Sequence, residues 1–280
     1  MNNFFDCGRY RFPLQGSQFR PIVMGILNVT PDSFSDGGQF QALDGAMSHA
    51  EQMIQDGVDI IDVGGESTRP GSTRVSLNEE LDRVMPIIYA LRDCGKPLSI
   101  DTYKTEVMRE AILAGADMIN DINGFRSEGA VSTVAASDVG LCVMHMQNSP
   151  TDMQQRPQYE DVNQEVTLFL EERLTALSKV GIENSRLCID PGFGFGKTLE
   201  HNISMLKNIA QFQTKHGLPL LAGLSRKSML GTITGKHVEH RQAASLAAAL
   251  AAIAHGAKIV RVHDVAGTVD AIKVWQALSN

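Results

Sequence analysis

Short runs of β-branched and other apolar residues alternate along the chain with longer segments in which apolar residues recur at helical spacing. The short runs predict eight strands: Ile22–Asn28, Ile60–Gly64, Leu98–Asp101, Met118–Asp121, Leu141–His145, Leu187–Asp190, Leu220–Gly223 and Ile259–Val262. Helical periodicity ending at a glycine predicts helices such as Asp44–Gln55, Asn78–Leu91, Thr105–Leu113 and Val162–Lys179. A strand followed by a helix, repeated, indicates parallel strands joined by right-handed crossovers.

The number of these units decides the fold class. Eight strand–helix units in a chain of 280 residues favour an α/β fold closed as a TIM (β/α)8 barrel over an open doubly wound sheet. We predict a single domain over residues 1–280, because 43% hydrophobic residues can fill one large core. Residues 1–20 do not fit the repeat, and we expect an N-terminal extension in which Phe4–Arg20 forms a hairpin across the barrel floor.

Composition excludes several classes of partner. A formal net charge of −7 without any basic stripe argues against nucleic-acid binding. The most apolar helical run, Ala243–Ala254, is too short to span a bilayer, and no basic segment followed by an apolar run begins the chain. The 4 cysteines are scattered without a Cys-x-x-Cys pair, which is typical of buried free thiols. We therefore expect a cytoplasmic protein that contacts neither nucleic acid nor membrane.

Polar residues close almost every predicted strand. In a (β/α)8 barrel the chemistry gathers at the carboxyl ends of the strands. The polar residues at these ends are Asn28, Asp62, Asp101, Asn120, Asp121, His145, Asp190, Ser225, Arg261 and His263. An aspartate after a strand is often only a helix N-cap, and for Asp101 taken alone that alternative stays open. The repetition around one rim predicts an active site there.

The last predicted strand carries two cationic side chains. Side chains alternate across a strand, so Arg261 and His263 share a face. Together with the Ser-Arg-Lys-Ser turn over 225–228, they make a receptor for an anionic leaving group.

Two glycine-rich loops are candidates for ligand contact. The segment Pro191–Thr198 has the outline of a nucleotide P-loop, but Pro191 stands where that motif requires its first glycine. We interpret it as a turn presenting Phe193 or Phe195 to a flat ligand; the alternative, that both rings pack under the loop, stays open. The other loop, Gly64–Gly71, allows close backbone approach to a ligand.

Two long segments, Met24–Gly38 and Asp62–Gly71, closely resemble the signature segments of the dihydropteroate synthases. The resemblance continues from about residue 20 to the end of the chain. Further matching segments are Ser99–Thr102, Asn120–Asp121, Met144–Gln147, Asp190–Lys197, Ser225–Ser228 and Arg261–Asp264. One departure is Asn148, where members of that family often carry glycine.

The resemblance implies an enzyme that joins 6-hydroxymethyl-7,8-dihydropterin pyrophosphate to 4-aminobenzoate, releasing pyrophosphate and 7,8-dihydropteroate in folate biosynthesis. A carboxylate binds the guanidine-like edge of a pterin with two parallel hydrogen bonds. The implied pterin site is Asp101, Asn120, Asp190 and Lys227, and the implied pyrophosphate site is Asn28, Thr68, Arg261 and His263. Magnesium is the expected cofactor, with Asn28 as its protein ligand, because Mg²⁺ takes most of its ligands from phosphate oxygens and water.

The resemblance also implies an aminobenzoate pocket and two closing loops. The pocket residues are Arg69, Pro70, Phe195, Lys227 and Ser228, the last helped by a helix N-terminus. Asp32, Phe34 and Arg69 belong to loops that we expect to be mobile and to close over the second substrate. The catalytic residues are expected to be Asp101, Asp190, Lys227, Arg261 and His263, acting in a dissociative displacement. Members of the family are usually dimers through their late helices, so a homodimer is expected.

Two other functions stay open at this point. A methyltransferase barrel that binds methyltetrahydrofolate would share the pterin contacts but has no use for Lys227, Arg261 and His263. A catalytically silent paralogue would only bind pterin, and the intact loops and last strand count against it.

Overall fold

The computed structural model describes residues 3–29, 38–67, 72, 74–147, 153, 157–213 and 217–279. Ten strands are present in this part of the chain. They are β1 Phe4–Cys7, β2 Tyr10–Pro13, β3 Ile22–Asn28, β4 Ile60–Gly64, β5 Leu98–Asp101, β6 Met118–Asp121, β7 Gly140–Met144, β8 Leu187–Asp190, β9 Leu221–Ala222 and β10 Ile259–Val262.

Strands β3 to β10 form one parallel sheet in the order β8-β7-β6-β5-β4-β3-β10-β9. A parallel bridge between Ile189 and Leu220 joins the two ends of this order and closes the sheet. The predicted (β/α)8 barrel is therefore confirmed, and all eight predicted strands are found within a few residues of their predicted bounds. Strand β9 keeps only two residues of the four predicted.

Nine α-helices lie within the described ranges. They are α1 Gly38–Gln55, α2 Leu77–Leu91, α3 Thr105–Ala114, α4 Ala130–Ala135, α5 Val162–Ser178, α6 Leu199–Lys207, α7 Ser228–Thr234, α8 Gln242–Ala254 and α9 Val265–Ser279. Helix α1 begins at Gly38, well before the predicted Asp44. Helix α2 begins at a capping box, in which Ser76 and Glu79 each accept from the other's backbone N–H. Side-chain caps also begin α5, at Asp161, and α6, at Thr198.

The N-terminal hairpin covers the amino ends of the strands, as predicted. Strands β1 and β2 pair antiparallel, and the buried side chains of Phe5 and Cys7 pack with Ile60 and Met118 inside the lower barrel. Nε of Arg9 donates to Oδ1 of the buried Asp117 over 2.8 Å, which anchors the hairpin to the β6 end. The floor is therefore sealed, and access to the barrel interior is left to the carboxyl ends of the strands.

The remaining expectations from composition concern cysteines and membranes. Cys7, Cys94, Cys142 and Cys188 are all free thiols. No helix in the described ranges is long and apolar enough to cross a membrane.

Candidate active site

Arg261 joins the ends of three strands at the centre of the upper barrel. From β10, its Nε lies 2.6 Å from Oδ2 of Asp62 at β4, and its Nη2 lies 2.7 Å from Oδ2 of Asp101 at β5. Asp62 is fully buried, whereas the Arg261 side chain is 20% exposed. Asp62 therefore holds the guanidinium from below while part of Arg261 faces the barrel mouth.

Burial and pairing set the charges of this cluster. Burial raises the pKa of Asp101 to about 7; Arg261 opposes this rise, and the neighbouring carboxylate of Asp62 adds to it. Burial disfavours the charge on Arg261, but the carboxylates of Asp62 and Asp101 outweigh it and raise its pKa above the ordinary value. Arg261 is therefore a permanent cation, and Asp101 changes its charge near neutral pH.

Asp190 and Asn120 complete this polar layer. Nδ2 of Asn120 donates to Oδ2 of Asp62 over 3.3 Å, and the backbone N–H of Gly192 donates to Oδ1 of Asp190 over 2.7 Å. Burial raises the pKa of Asp190, with Gly192, Lys227, Lys197 and Arg261 opposing. Asp190 lies at the carboxyl end of β8 and Arg261 near that of β10, and only β9 separates these two strands in the closed sheet, so both groups lie at the same rim.

Two carboxylate oxygens in this layer are open to a ligand. Oδ1 of Asp62 and Oδ1 of Asp101 are buried and accept no hydrogen bond from any described residue. Buried polar atoms are normally paired, so these two positions suit a ligand or ordered water that donates hydrogen bonds.

His263 is fixed by Ser225 at the other side of β10. The Ser225 hydroxyl accepts from the backbone N–H of His263 over 3.2 Å and lies 3.0 Å from His263 Nδ1. Ser225 therefore holds both the backbone and the imidazole ring of His263 in place at the rim.

Lys227 and Phe195 meet above Asp190. Nζ of Lys227 lies 4.1 Å from the centroid of the Phe195 ring, a cation–π distance. The backbone N–H of Arg226, a residue with φ of 58°, donates to Ser245 Oγ on α8 over 2.9 Å. The turn that carries Lys227 and Ser228 is therefore tied to the next helix.

The two phenylalanines of this loop pack in different places, and both are buried. Phe193 packs under its loop in the main core between strands and helices. Phe195 joins a separate apolar cluster at the barrel mouth with Ile122, Met144 and Met146. Ligand contact by Phe195 stays a prediction.

Asn28 and Asp101 flank Gly64 at the rim. A Cβ at Gly64 would lie 3.8 Å from Oδ1 of Asn28 and 3.9 Å from Oδ2 of Asp101. A methyl group there would make ordinary van der Waals contact with an amide oxygen on one side and a carboxylate on the other. In the described part of the chain, no group of three or more His, Cys, Asp or Glu side chains is placed to hold a metal. A metal at Asn28 would therefore need ligands from substrate and water, which suits Mg²⁺.

Sequence reasoning missed two supporting clusters. Lys104 pairs with Glu66 and with the buried Glu80, and Tyr103 Oη donates to Glu66 Oε1 over 2.9 Å. This cluster fixes the start of the loop after β4, and burial together with Glu66 raises the pKa of Tyr103 to about 12. The signal available in the sequence was the pair Tyr103 and Lys104, directly after Asp101 and Thr102.

The second missed cluster lies between the loops after β7 and β8. There Lys197 Nζ lies 2.9 Å from Nδ1 of His145, and both side chains are buried. The sequence feature that could have indicated this cluster is Lys197, the lysine that ends the glycine-rich loop.

Six residues named from the sequence lie outside the described residues. They are Asp32, Phe34, Thr68, Arg69, Pro70 and Asn148. The roles predicted for them stay predictions.

Comparison with known proteins shows which family the chain belongs to. The family profile described as pterin binding enzyme matches residues 24–263. The chain therefore belongs to the family of pterin-binding enzymes. Its relatives narrow this class further. It is 48% identical to the dihydropteroate synthase of Neisseria meningitidis serogroup C, over 98% of this chain and 97% of that protein. Within the pterin-binding enzymes, the chain belongs with the dihydropteroate synthases.

Solved structures of relatives have the same fold. Burkholderia cenocepacia dihydropteroate synthase complexed with 7,8-dihydropteroate has a TM-score of 0.90 and 49% identity, covering 99% of this chain and 96% of that chain. Xanthomonas albilineans dihydropteroate synthase with 4-aminobenzoic acid has a TM-score of 0.91 and 48% identity, covering 100% of this chain and 99% of that chain.

Proposed function

We propose that the protein joins 6-hydroxymethyl-7,8-dihydropterin pyrophosphate to 4-aminobenzoate, forming 7,8-dihydropteroate and pyrophosphate in folate biosynthesis. The observation that carries this proposal is the placement of Arg261 between Asp62 and Asp101, at the barrel rim that also holds Asp190. Buried acids to bind a pterin and a fixed cation to receive pyrophosphate then lie at one end of the barrel. The ligands of the Burkholderia and Xanthomonas relatives are the product and one substrate of this reaction.

The buried acids bind the pterin. Asp190, when ionised, accepts two parallel hydrogen bonds from the guanidine-like edge of the ring. Asn120 donates to Asp62 through Nδ2, so its carbonyl oxygen is directed to accept from a ring N–H. Oδ1 of Asp101 accepts no hydrogen bond from the described residues and offers a further position for the ring. Lys227 donates to the ring carbonyl.

The cations receive the leaving group. As the bond between the methylene carbon and the pyrophosphate oxygen breaks, both electrons go to that oxygen, and positive charge spreads from the methylene into the ring. Arg261 and His263 stabilise the departing oxygens, with Thr68 as a further predicted contact, and Asp101 and Asp190 stabilise the cation. This division of charge favours a dissociative displacement.

Magnesium would be held at Asn28, beside Asp101. Gly64, which has no side chain, lies beside Oδ1 of Asn28, and phosphate oxygens and water would supply the other ligands. When bound, the ion neutralises charge on the pyrophosphate.

The second substrate would bind between Phe195, Lys227 and Ser228. The predicted pocket also includes Arg69 and Pro70. Ser228, at the start of α7, would bind the benzoate carboxylate through its hydroxyl group, while the stem of Lys227 lines the pocket beside Phe195. The arylamine nitrogen forms the new bond to the methylene carbon and then loses its proton to water, so no strong general base is required.

We also propose a homodimer formed through the late helices. Helices α7, α8 and α9 pack side by side, and their outer surfaces leave large apolar residues exposed, namely Ile233, Val274 and Leu278. Ala243 and Ala247 are exposed on α8, and such small side chains allow close helix contact. Sedimentation should give a dimer, and Ala247→Glu should give a monomer.

We place the protein in the cytoplasm, where free thiols stay reduced.

Turnover with both substrates and Mg²⁺, with 7,8-dihydropteroate and pyrophosphate both quantified, tests the proposed function. Equal amounts of the two products are expected. Binding of the pterin without turnover would instead indicate a silent paralogue. Methyl transfer from methyltetrahydrofolate to a corrinoid would indicate the methyltransferase, which does not need Arg261 or His263 as an anion site.

A further inference from the structure

The lysine that ends the glycine-rich loop, Lys197, points back into its own loop rather than toward a ligand. Its side chain is buried, with the residue 3% exposed. Nζ donates to the carbonyl oxygen of Gly192 over 2.9 Å and to that of Phe195 over 3.0 Å. The ammonium group therefore holds the loop from Gly192 to Phe195 in a closed turn around it.

The third partner of Lys197 comes from the neighbouring strand. Nδ1 of His145, just after β7, lies 2.9 Å from Nζ. Burial lowers the pKa of His145 to about 2, with Lys197 and Arg126 adding to this effect, so the imidazole is neutral and Nδ1 can accept a hydrogen bond from the ammonium. Three N–H donors of one ammonium thus meet three acceptors, which is the full capacity of a lysine.

Glycines allow the loop to wrap so closely. Gly192 and Gly196 have φ of 73° and 64°, in the region that favours glycine. A Cβ at Gly192 would clash with the carbonyl oxygen of His145, and one at Gly196 would lie 3.0 Å from that of Gln147. The loop is therefore pressed against the segment after β7, with Lys197 as the side chain that ties the two together.

This closed loop sets the place of Lys227. A Cβ at Gly194 would lie 3.1 Å from Cδ of Lys227, so the Lys227 stem runs along the loop backbone. Its Nζ then reaches 4.1 Å from the Phe195 ring. Lys197 does not touch that ring, but it holds the carbonyl of the same residue.

We infer that Lys197 is a positioning residue for the aminobenzoate pocket: by binding Gly192, Phe195 and His145 together, it fixes Phe195 and Lys227 in the arrangement that receives the second substrate. This inference rests on the proposed function. Methionine has a similar length and no donors, so Lys197→Met would leave the acceptors of the loop unsatisfied and let the loop shift.

Most of the pterin side of the site is held by other parts of the barrel. Asp190 belongs to β8 and shares with Lys197 only Gly192, which donates its backbone N–H to Asp190 and whose carbonyl oxygen accepts from Lys197. Asn120 and Asp62 lie on other strands. Loss of the Lys197 contacts should therefore weaken 4-aminobenzoate binding much more than pterin binding.

Burial and the neighbouring charged groups change the pKa of Lys197. Burial lowers the pKa of Lys197 to about 7; Asp190 opposes this change and Lys227 adds to it. His145 is its titratable neighbour from β7 and is neutral over the range of assay. Assays at pH 6.5 therefore keep most Lys197 side chains protonated, which is the form with three donors.

The experiment compares Lys197→Met and Lys197→Gln with Lys207→Met, a control on the exposed side of α6. Calorimetry measures the Kd of 6-hydroxymethyl-7,8-dihydropterin alone, and that of 4-aminobenzoate with this pterin and pyrophosphate present. Loss of buried hydrogen bonds predicts that Lys197→Met weakens 4-aminobenzoate binding about tenfold or more, with the pterin Kd within about threefold. Lys197→Gln, which keeps two N–H donors, should lie between Lys197→Met and wild type.

Equal loss of both affinities, or 4-aminobenzoate binding as tight as in Lys207→Met, would overturn the inference. Should Lys197→Met fail to fold, Lys197→Gln decides by the same criterion. Wild type that binds both ligands without turnover would contradict the proposed function alone, because the binding comparison needs no catalysis. Wild type that does not bind 4-aminobenzoate would contradict both.

Discussion

Nε of Arg261 donates to Oδ2 of the fully buried Asp62 over 2.6 Å, so the cation at the barrel mouth is fixed by an acid below it. An arginine fork meets two carboxylates in one geometry, whereas a lysine ammonium is a point charge on a flexible stem. We predict that Arg261→Lys lowers kcat about 100-fold, since a misplaced donor stabilises the leaving group poorly. Steady-state kinetics checks this, with Arg11→Lys on the exposed hairpin as the control. A rate within threefold of wild type would show that the fork is dispensable.

Titration of Asp101 should give the pH profile of kcat/KM an acidic limb, in which kcat/KM falls as the pH drops below about 7. Burial raises its pKa to about 7, and the carboxylate is the form that stabilises a cation on the pterin. As pH rises through 7 the acid loses its proton, so kcat/KM should rise with pH and then level off. Residual activity of Asp101→Asn should lack this limb. Asp121, whose pKa burial also raises to about 7, provides the control, since Asp121→Asn should keep it.

Asp190→Asn should weaken pterin binding selectively. The amide oxygen can still accept from the Gly192 N–H, but the charge that grips the ring is lost. Charge-assisted hydrogen bonds contribute about 1.5–3 kcal/mol, so the pterin Kd should rise about 10- to 100-fold. Calorimetry measures this change. The exposed Asp138→Asn serves as control, and an unchanged Kd for Asp190→Asn would remove this residue from the pterin site.

Gly192→Ala should destabilise the protein more than Gly95→Ala. Both glycines have similar φ, 73° and 79°, so both pay the cost of a left-handed alanine, about 1–2 kcal/mol. Gly95 has nothing within 4 Å of an added Cβ, whereas at Gly192 that atom clashes with the His145 carbonyl. Overpacking should add about 1–3 kcal/mol to the loss in free energy of unfolding. Urea denaturation gives both values, and equal losses would contradict the tight packing of this loop.

Asn28→Ala should raise the Mg²⁺ concentration needed for half-maximal activity. Asn28 is the expected protein ligand, and loss of a single metal contact typically costs about tenfold in affinity or activity. Titration of activity with Mg²⁺ measures the shift, and a chelator should abolish turnover of the wild type. If the Mg²⁺ requirement is the same in both proteins, the ion does not bind at Asn28.

Much of the fold follows from local pattern alone. Each buried strand of a parallel barrel is a short apolar run, and each ends where a polar residue meets the rim, so Ile60–Gly64 or Leu187–Asp190 can be read directly from the sequence. The strand and helix bounds that the sequence did not predict are those that depend on neighbouring elements of the fold. Strand β9 stops at Ala222 although the apolar run continues, because strand length depends on the pairing available beside it.

The eightfold repeat and the chemical types of residue at the rim follow from the sequence, because the spacing of apolar residues and the glycines that end helices are local properties of the chain. Which of those residues come into contact depends on the tertiary structure. Arg261 binds Asp62 from far along the chain, and Lys197 turns inward to His145 instead of outward to a ligand. Such pairs depend on barrel closure and on burial, which bring distant charges into one poorly solvated space where only matched partners are stable.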